Sequence, residues 1–329
     1  MNPHSPLLLQ AQFTVPVAGG SFGLADSTKL ENPFQAPMWL DEIRFRLPAA
    51  GAVSATLGLN WSSFRIELKL GETTITKGFV HMGLFGKVLN DGIESANFKP
   101  QESLSTYQNS PYVFTWRLPK PLFIPAREFL RPTFYFDPVM PNAGLVTNQV
   151  VTLIYCCRPL PRGTPTPKTV QIPWVTFYQP VDIDTAAPVD RVDQSTPSDL
   201  YNPFDQDMHV QRFVGRLMGR EYGENNEYMG LASANVNLTT GIPTTGTFVS
   251  AQDSFNNILI RDPTPFAHVF SAVDRAWTVN CVLPPKGFYL FTVDRLWAAF
   301  TSSATNVNQF NFNKSVGISM VGWREVQYR

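Results

Sequence analysis

The 329-residue sequence predicts an all-β chain built as two consecutive β-sandwiches, and three observations carry that expectation. Short runs of alternating apolar and polar residues recur from end to end, the period-2 signature of a strand with one buried face. Turn formers punctuate these runs: the chain has 28 prolines and 21 glycines, and its 25 phenylalanines against 16% charged residues give the strands an aromatic core to bury. A stretch of the first half also returns in the second, so one fold is used twice.

The elements follow in order. Residues 7–15 form an apolar start suited to a first edge strand. Residues 43–47 (IRFRL), 53–59 (VSATLGL) and 64–70 (FRIELKL) alternate, the last stopping at Gly71-Glu72 where a turn should fall. Further strands are predicted at 112–118, 133–136 and 149–157, then at 174–178, 234–238, 257–260, 277–282, 288–293 and 316–323. Residues 207–219 fit a short helix as well as a strand by pattern alone. With no alternating strand and helix rhythm, these elements point to sandwiches and not to an open parallel sheet.

The repeat is the most informative feature. Residues 31–47, ENPFQAPMWLDEIRFRL, and 201–217, YNPFDQDMHVQRFVGRL, lie at an offset of 170. Asn32, Pro33, Phe34, Met38, Arg46 and Leu47 match Asn202, Pro203, Phe204, Met208, Arg216 and Leu217, while Leu40 and Ile43 face Val210 and Phe213. A second echo, at an offset of 159, sets Leu122, Ile124, Pro125, Arg127 and Phe129 against Cys281, Leu283, Pro284, Lys286 and Phe288. A third pairs the apolar run ending at Arg158 with the one ending at Arg324, and residues 7–15 have a counterpart in 170–181. The order is the same in both halves, which implies domains at 1–158 and 169–329. It also favours a strand after Met208, because the counterpart after Met38 alternates. The join, 159–168 (PLPRGTPTPK), is a semi-rigid strap, since proline fixes φ.

Charge and motifs exclude more than they assign. Lys plus Arg equals Asp plus Glu at 26 each, so the chain lacks the basic excess that neutralising nucleic-acid phosphates requires. No apolar run approaches the roughly 20 residues of a membrane-spanning helix, and Met1-Asn2-Pro3-His4 does not open a signal peptide, so a soluble, unexported chain is expected. Cys156 and Cys157 are adjacent and Cys281 is distant, which suits buried thiols of a reducing cytoplasm and neither a disulfide framework nor a zinc site. The sequons at Asn60, Asn237 and Asn313 are then chance matches.

Gly19-Gly20-Ser21-Phe22-Gly23 meets the G-x-S-x-G pattern of a nucleophile elbow, but no helix follows and residues 18–29 read as a loop. His4, His81, His209 and His268 are scattered, without the close spacing of a metal site. Asp182 with Asp184, and Asp205 with Asp207, offer carboxylate pairs without the full ligand series of a calcium loop, and are read as solvated loop acids. No phosphate-cradling loop is present. No catalytic, cofactor-binding or metal residue is therefore assigned.

Two tandem sandwiches joined by a proline strap in a neutral chain resemble the double jelly-roll major capsid proteins of tailless icosahedral viruses, including tectivirus, corticovirus and finnlakevirus coat proteins. The resemblance implies two eight-stranded jelly rolls with few short helices, and a homotrimer whose six sandwiches form a pseudo-hexagonal tile. It implies residence in the virion after synthesis in the host cytoplasm, with neighbouring tiles and minor capsid or vertex proteins as partners. It also implies an internal viral membrane, for which residues 7–9 and Phe13 are an anchor candidate beside the edge-strand reading. Loops 101–121 and 199–204 become candidate subunit contacts. No enzymatic role, cofactor or sequence-specific nucleic-acid contact is implied. Two other plans use tandem sandwiches: a carbohydrate-binding or adhesive protein, and a jelly-roll amidase acting on glycans, which needs convergent carboxylates such as Asp182 and Asp205.

Overall fold

The computed structural model describes residues 6–16, 19–23, 30–46, 64–81, 84, 87–88, 113–136, 150–178, 191–218, 235–236, 243–270, 276–296 and 315–327. The first half contributes β1 (Leu7–Thr14), β2 (Gly20–Phe22), β3 (Met38–Arg46), β4 (Phe64–Leu70), β5 (Thr73–Thr74), β6 (Val80–His81), β7 (Lys87–Val88), β8 (Val113–Ile124), β9 (Leu130–Phe136) and β10 (Val150–Pro159). The second contributes β11 (Thr169–Tyr178), β12 (Arg191–Gln194), β13 (Leu200–Tyr201), β14 (Met208–Met218), β15 (Asn235–Val236), β16 (Pro243–Asp253), β17 (Ile258–Pro265), β18 (Ala276–Leu283), β19 (Phe288–Leu296) and β20 (Ser315–Gln327). Among the described residues, α-helix is confined to Phe266–Val269.

Strand order identifies the architecture. In the first half one sheet runs β1-β10-β3-β8-β7 and the other β2-β9-β4-β5, with β6 also on β4. In the second half the orders are β11-β20-β14-β18 and β12-β19-β16-β15, with β17 on β16. With β5 and β6 counted as one interrupted strand and the accessory strands set aside, each half has eight strands ordered 1-8-3-6 and 2-7-4-5. Each half is a jelly roll, whose interleaved strands leave no open run of consecutive hairpins.

Alternation explains why these segments are strands. On β1, Leu9, Ala11 and Phe13 face the core while Leu8, Gln10 and Gln12 face outward. The first core is aromatic, with Phe13, Phe45, Trp116, Phe134, Phe136 and Tyr155 fully buried, and the Tyr155 hydroxyl donates to Leu130 O at 2.5 Å, tying one sheet to the other. Phe213, Phe270 and Phe291 do the same for the second. Each such side chain contributes about 1.5–3 kcal/mol on burial.

Residues 208–218 are a strand, as the repeat indicated. β1 is an edge strand. Three readings need correction or limits. Residues 20–22 pair with β9 as β2, where a loop was expected, because Phe22 stacks on Phe134 at 5.2 Å. β12 and β16 had no counterpart in the pattern. The predicted strand at 53–59 lies outside the described residues, as do the sequons at Asn60, Asn237 and Asn313, Asp182, Asp184 and His4.

The repeat survives in three dimensions to the level of a shared irregularity. β3 bulges at Asp41, skipped in the register against both β8 and β10, and β14 bulges at Gln211, skipped against both β18 and β20. Asp41 and Gln211 are 170 apart, so the two bulges are the same feature. This register also corrects the third echo by one residue. Arg158 pairs with Trp39 and Trp323 pairs with His209, so the counterpart of Arg158 is Trp323 and not Arg324.

Candidate functional site

The repeated Asn-Pro-Phe segment precedes the third strand of each sandwich, and its asparagine is buried in both. Asn32 Nδ2 donates to Ala36 O at 2.9 Å and Pro125 O at 3.1 Å, and its Oδ1 accepts from Phe34 N at 3.0 Å. Asn202 Nδ2 donates to Gln206 O at 2.8 Å, Leu283 O at 3.0 Å and Pro284 O at 3.1 Å, and its Oδ1 accepts from Phe204 N at 3.1 Å. Their backbones repeat the likeness: Asn32 N donates to Glu128 O at 3.0 Å, and Asn202 N to Gly287 O at 2.8 Å.

Pro125 and Pro284 belong to the second echo, whose turns place Arg127 at φ 61° and Lys286 at φ 60°. Two echoes far apart in the sequence are thus the two jaws of one clamp. Only a short side chain with both donor and acceptor satisfies this set of backbone groups. An apolar residue there would leave buried carbonyls unmet.

A second arrangement joins the sandwiches. Residues 75–77, between β5 and β6, lie on β11: Val175 N donates to Ile75 O at 2.9 Å, and Lys77 N donates to Val175 O at 2.8 Å, around a parallel bridge of Thr76 with Val175. The Lys77 ammonium donates to Ser198 O and lies 5.1 Å from the Tyr201 ring centroid. Burial lowers its pKa, against the opposing pull of Asp199. Residues 199–204, expected at subunit contacts, therefore serve the joint and a clamp within the chain.

Apolar contact runs across the joint without a break, because Val170, Ile172, Val175, Val214 and Val321 are buried in one cluster with the first core. The Ser319 hydroxyl donates to Leu84 O. Lys120 Nζ sits 5.2 Å from the Trp323 ring, which stacks on His209 at 4.0 Å and 8°. The contact has the character of a core and not of a wet hinge between domains. The chain is a double jelly roll.

The outer face of the sheet containing β3 is charged. Glu42 accepts from Arg44 Nε at 2.6 Å and has Arg117 Nε at 3.8 Å, while Arg158 reaches Asp41 at 2.5 and 2.7 Å. The hydrogen bond to Glu42 raises the pKa of Arg44. Asp41, Glu42, Arg44, Arg117, Leu118 and Cys156 line a groove of about 400 Å³ here.

The residues weighed for chemistry do not converge. Ser21 pairs with Tyr135 inside a sheet, so it stands in no strand-to-helix elbow. Cys157 is buried and its thiol is pushed up to about 12, and Cys156 is also raised by burial, which keeps both protonated and weakly nucleophilic at neutral pH. The Cys281 thiol lies 2.9 Å from the Tyr289 hydroxyl. Asp205 and Asp207 are exposed, the former 3.2 Å from Lys286 Nζ. Of the histidines, His81 is buried, His209 is stacked and His268 is exposed. Among the described residues no cluster of three potential metal ligands occurs.

Sequence reasoning missed the joint, although a signal was present. β11 is buried on both faces along most of its length, and its run TVQIPWVTFY does not alternate cleanly, as a strand covered on both sides should not.

No protein-family model and no curated protein matches the sequence. Among solved structures, the chain is similar to VP54 of PBCV-1, with 9% identity over 99% of this chain and 95% of the other at a TM-score of 0.47. It is also similar to the major capsid protein P2 of bacteriophage PM2, with 10% identity over 99% and 98% at 0.42. For the Faustovirus major capsid protein the identity is 9% over 99% and 91% at 0.32.

Proposed function

We propose that this double jelly roll is the major capsid protein of a tailless icosahedral virus, acting as a homotrimeric tile of the virion shell. The observation that carries the reading is the duplication itself: two jelly rolls with the same strand order, the same bulge and the same asparagine clamp, fixed to one another by a buried joint. A rigid pair of near-equivalent sandwiches suits a shell. Three copies present six similar edges, so one kind of contact closes a ring and the ring tiles a surface.

The division into 1–158, a strap at 159–168 and 169–329 belongs to this reading. Two contacts that hold the strap support it: Leu160 N donates to Pro37 O at 3.0 Å and Thr164 N to Pro161 O at 3.1 Å. The role is structural and not catalytic. Neighbouring tiles, minor or vertex proteins and an underlying membrane are the partners of such a shell, and the balanced charge supports a layer without direct sequence-specific contact to the genome.

Light scattering on the purified protein tests the reading. The expected species has three chains of 36.8 kDa, seen as hexagonal particles in negative stain. A monomer at every concentration overturns it.

A further inference from the structure

The internal joint has an unused mirror image. Within the chain, the segment after the fourth strand of the first sandwich, residues 75–77, seats on the first strand of the second sandwich at Val175. The register identifies the counterparts of both partners. Cys156 pairs with Glu42 and Leu8, whereas Val321 pairs with Arg212 and Val175. Glu42 and Arg212 are 170 apart, so Leu8 stands where Val175 stands. On the other side, Thr74 pairs with Lys69 and Ile75 N bonds Leu68 O, while Ile258 pairs with Gln252 and Ile260 with Ala251. Lys69 pairs with Arg131 and Gln252 with Leu290, which are 159 apart as in the second echo. Ile258 therefore stands where Thr74 stands and Ile260 where Ile75 stands, with Leu259 as an extra bulged residue. The counterparts of residues 75–77 thus begin at Ile260.

Burial separates the two arrangements. Val175 is fully buried whereas its counterpart Leu8 is 60% exposed, and directly before the counterpart of the seated segment Ile258 is 62% and Leu259 38% exposed. Exposed large apolar side chains on edge strands mark contact surfaces, because an open edge offers both unpaired backbone groups and apolar area. Here Leu8 is the counterpart of a residue that is already covered, and Ile258 and Leu259 adjoin the counterpart of the segment that covers it.

We propose that the opening of β17 of one copy, with Ile258 and Leu259 leading and the backbone from Ile260 onward in the seat, lies against β1 at Leu8 of the next, beside the groove lined by Glu42, Arg44 and Arg117. The partner is a second copy of this chain, and the contact is head to tail, the class that closes into a ring when its rotation permits. The inference rests on the trimeric-tile reading and assigns its subunit contact.

Charge substitutions test it. Leu8→Asp and Ile258→Asp, both at exposed positions that leave thermal unfolding unchanged, each convert the trimer to a 36.8 kDa species in light scattering. Leu8→Lys combined with Ile258→Asp restores the trimer, because the new charges come within reach of each other only if the opening of β17 lies against β1 at Leu8. Val192→Asp, at an equally exposed apolar position on β12, leaves the trimer intact. Trimers that persist in both single aspartate variants overturn the contact and leave the tile reading standing. Equal dissociation by Val192→Asp, or no recovery in the double variant, also overturns the contact. A wild-type protein that never trimerises overturns the reading and the contact together.

Discussion

The outer faces of the two sheets built around β3 and β14 are the same surface twice, yet they carry opposite chemistry. Positions 44, 154, 156 and 158 hold Arg44, Ile154, Cys156 and Arg158, and their register counterparts are Val214, Ser319, Val321 and Trp323. The second set is covered by the first sandwich, with Val214 and Val321 buried in its core cluster. The first set forms an open charged groove, with Arg44 and Arg158 in ion pairs. Duplication preserved the clamp and the bulge, which each sandwich needs to fold. It did not preserve the outer face, which answers to whatever lies against it.

The most severe way to break this comparison is to exchange the faces. Val214→Arg puts the residue of position 44 into the joint, where a charge has no partner, and about 3–5 kcal/mol of stability should be lost in chemical denaturation. Retention of wild-type stability would show that the joint admits water and is not a core. Next come the clamps. Asn32→Ala and Asn202→Ala should each cost about 3 kcal/mol, since each removes at least two amide hydrogen bonds to backbone carbonyls together with the acceptor of the phenylalanine N–H two residues on. Similar losses at both sites would confirm that the clamps are one device, and a loss at only one would show that they have diverged.

A third effect separates Cys157 from its glycine counterpart, Gly322. Burial raises the Cys157 thiol from 9.0 to about 12, so the fold favours the protonated form. Its contribution is fully present below pH 9.0 and is lost as pH rises towards 12, which predicts alkaline destabilisation in that window. Cys157→Ala should flatten the loss in thermal melts taken across the window. The smallest effect is the reverse exchange on the open face. Arg44→Val removes a solvent-screened ion pair, so unfolding should shift by no more than about 1 kcal/mol.

Much of the fold was legible in the residues. FRIELKL alternates and is β4 from Phe64 to Leu70, and the Asn-Pro-Phe repeat marks the same entry into the third strand in each sandwich. β16 was not legible: its sequence PTTGTFVSAQD is rich in residues that favour turns, and it becomes a central strand because β17 and β19 pair with its two edges. Ser21 misled in the same way, since a glycine-rich segment became a strand once Phe22 packed on Phe134. The asparagines were visible as matches, but their purpose was not. Their acceptors lie in the second echo, and only folding brings those carbonyls within reach.

By itself, then, the sequence determined that the chain is all-β, that it is duplicated, and which residues the two halves share, because alternation and repeated identity are properties of the chain alone. The tertiary structure decided the register that makes Arg158 the counterpart of Trp323, and the seating of residues 75–77 on Val175. It also decided which of two equivalent outer faces is buried. A period-2 pattern separates one face of a strand from the other, but it is blind to a skipped residue at a bulge and to what a neighbouring sandwich covers.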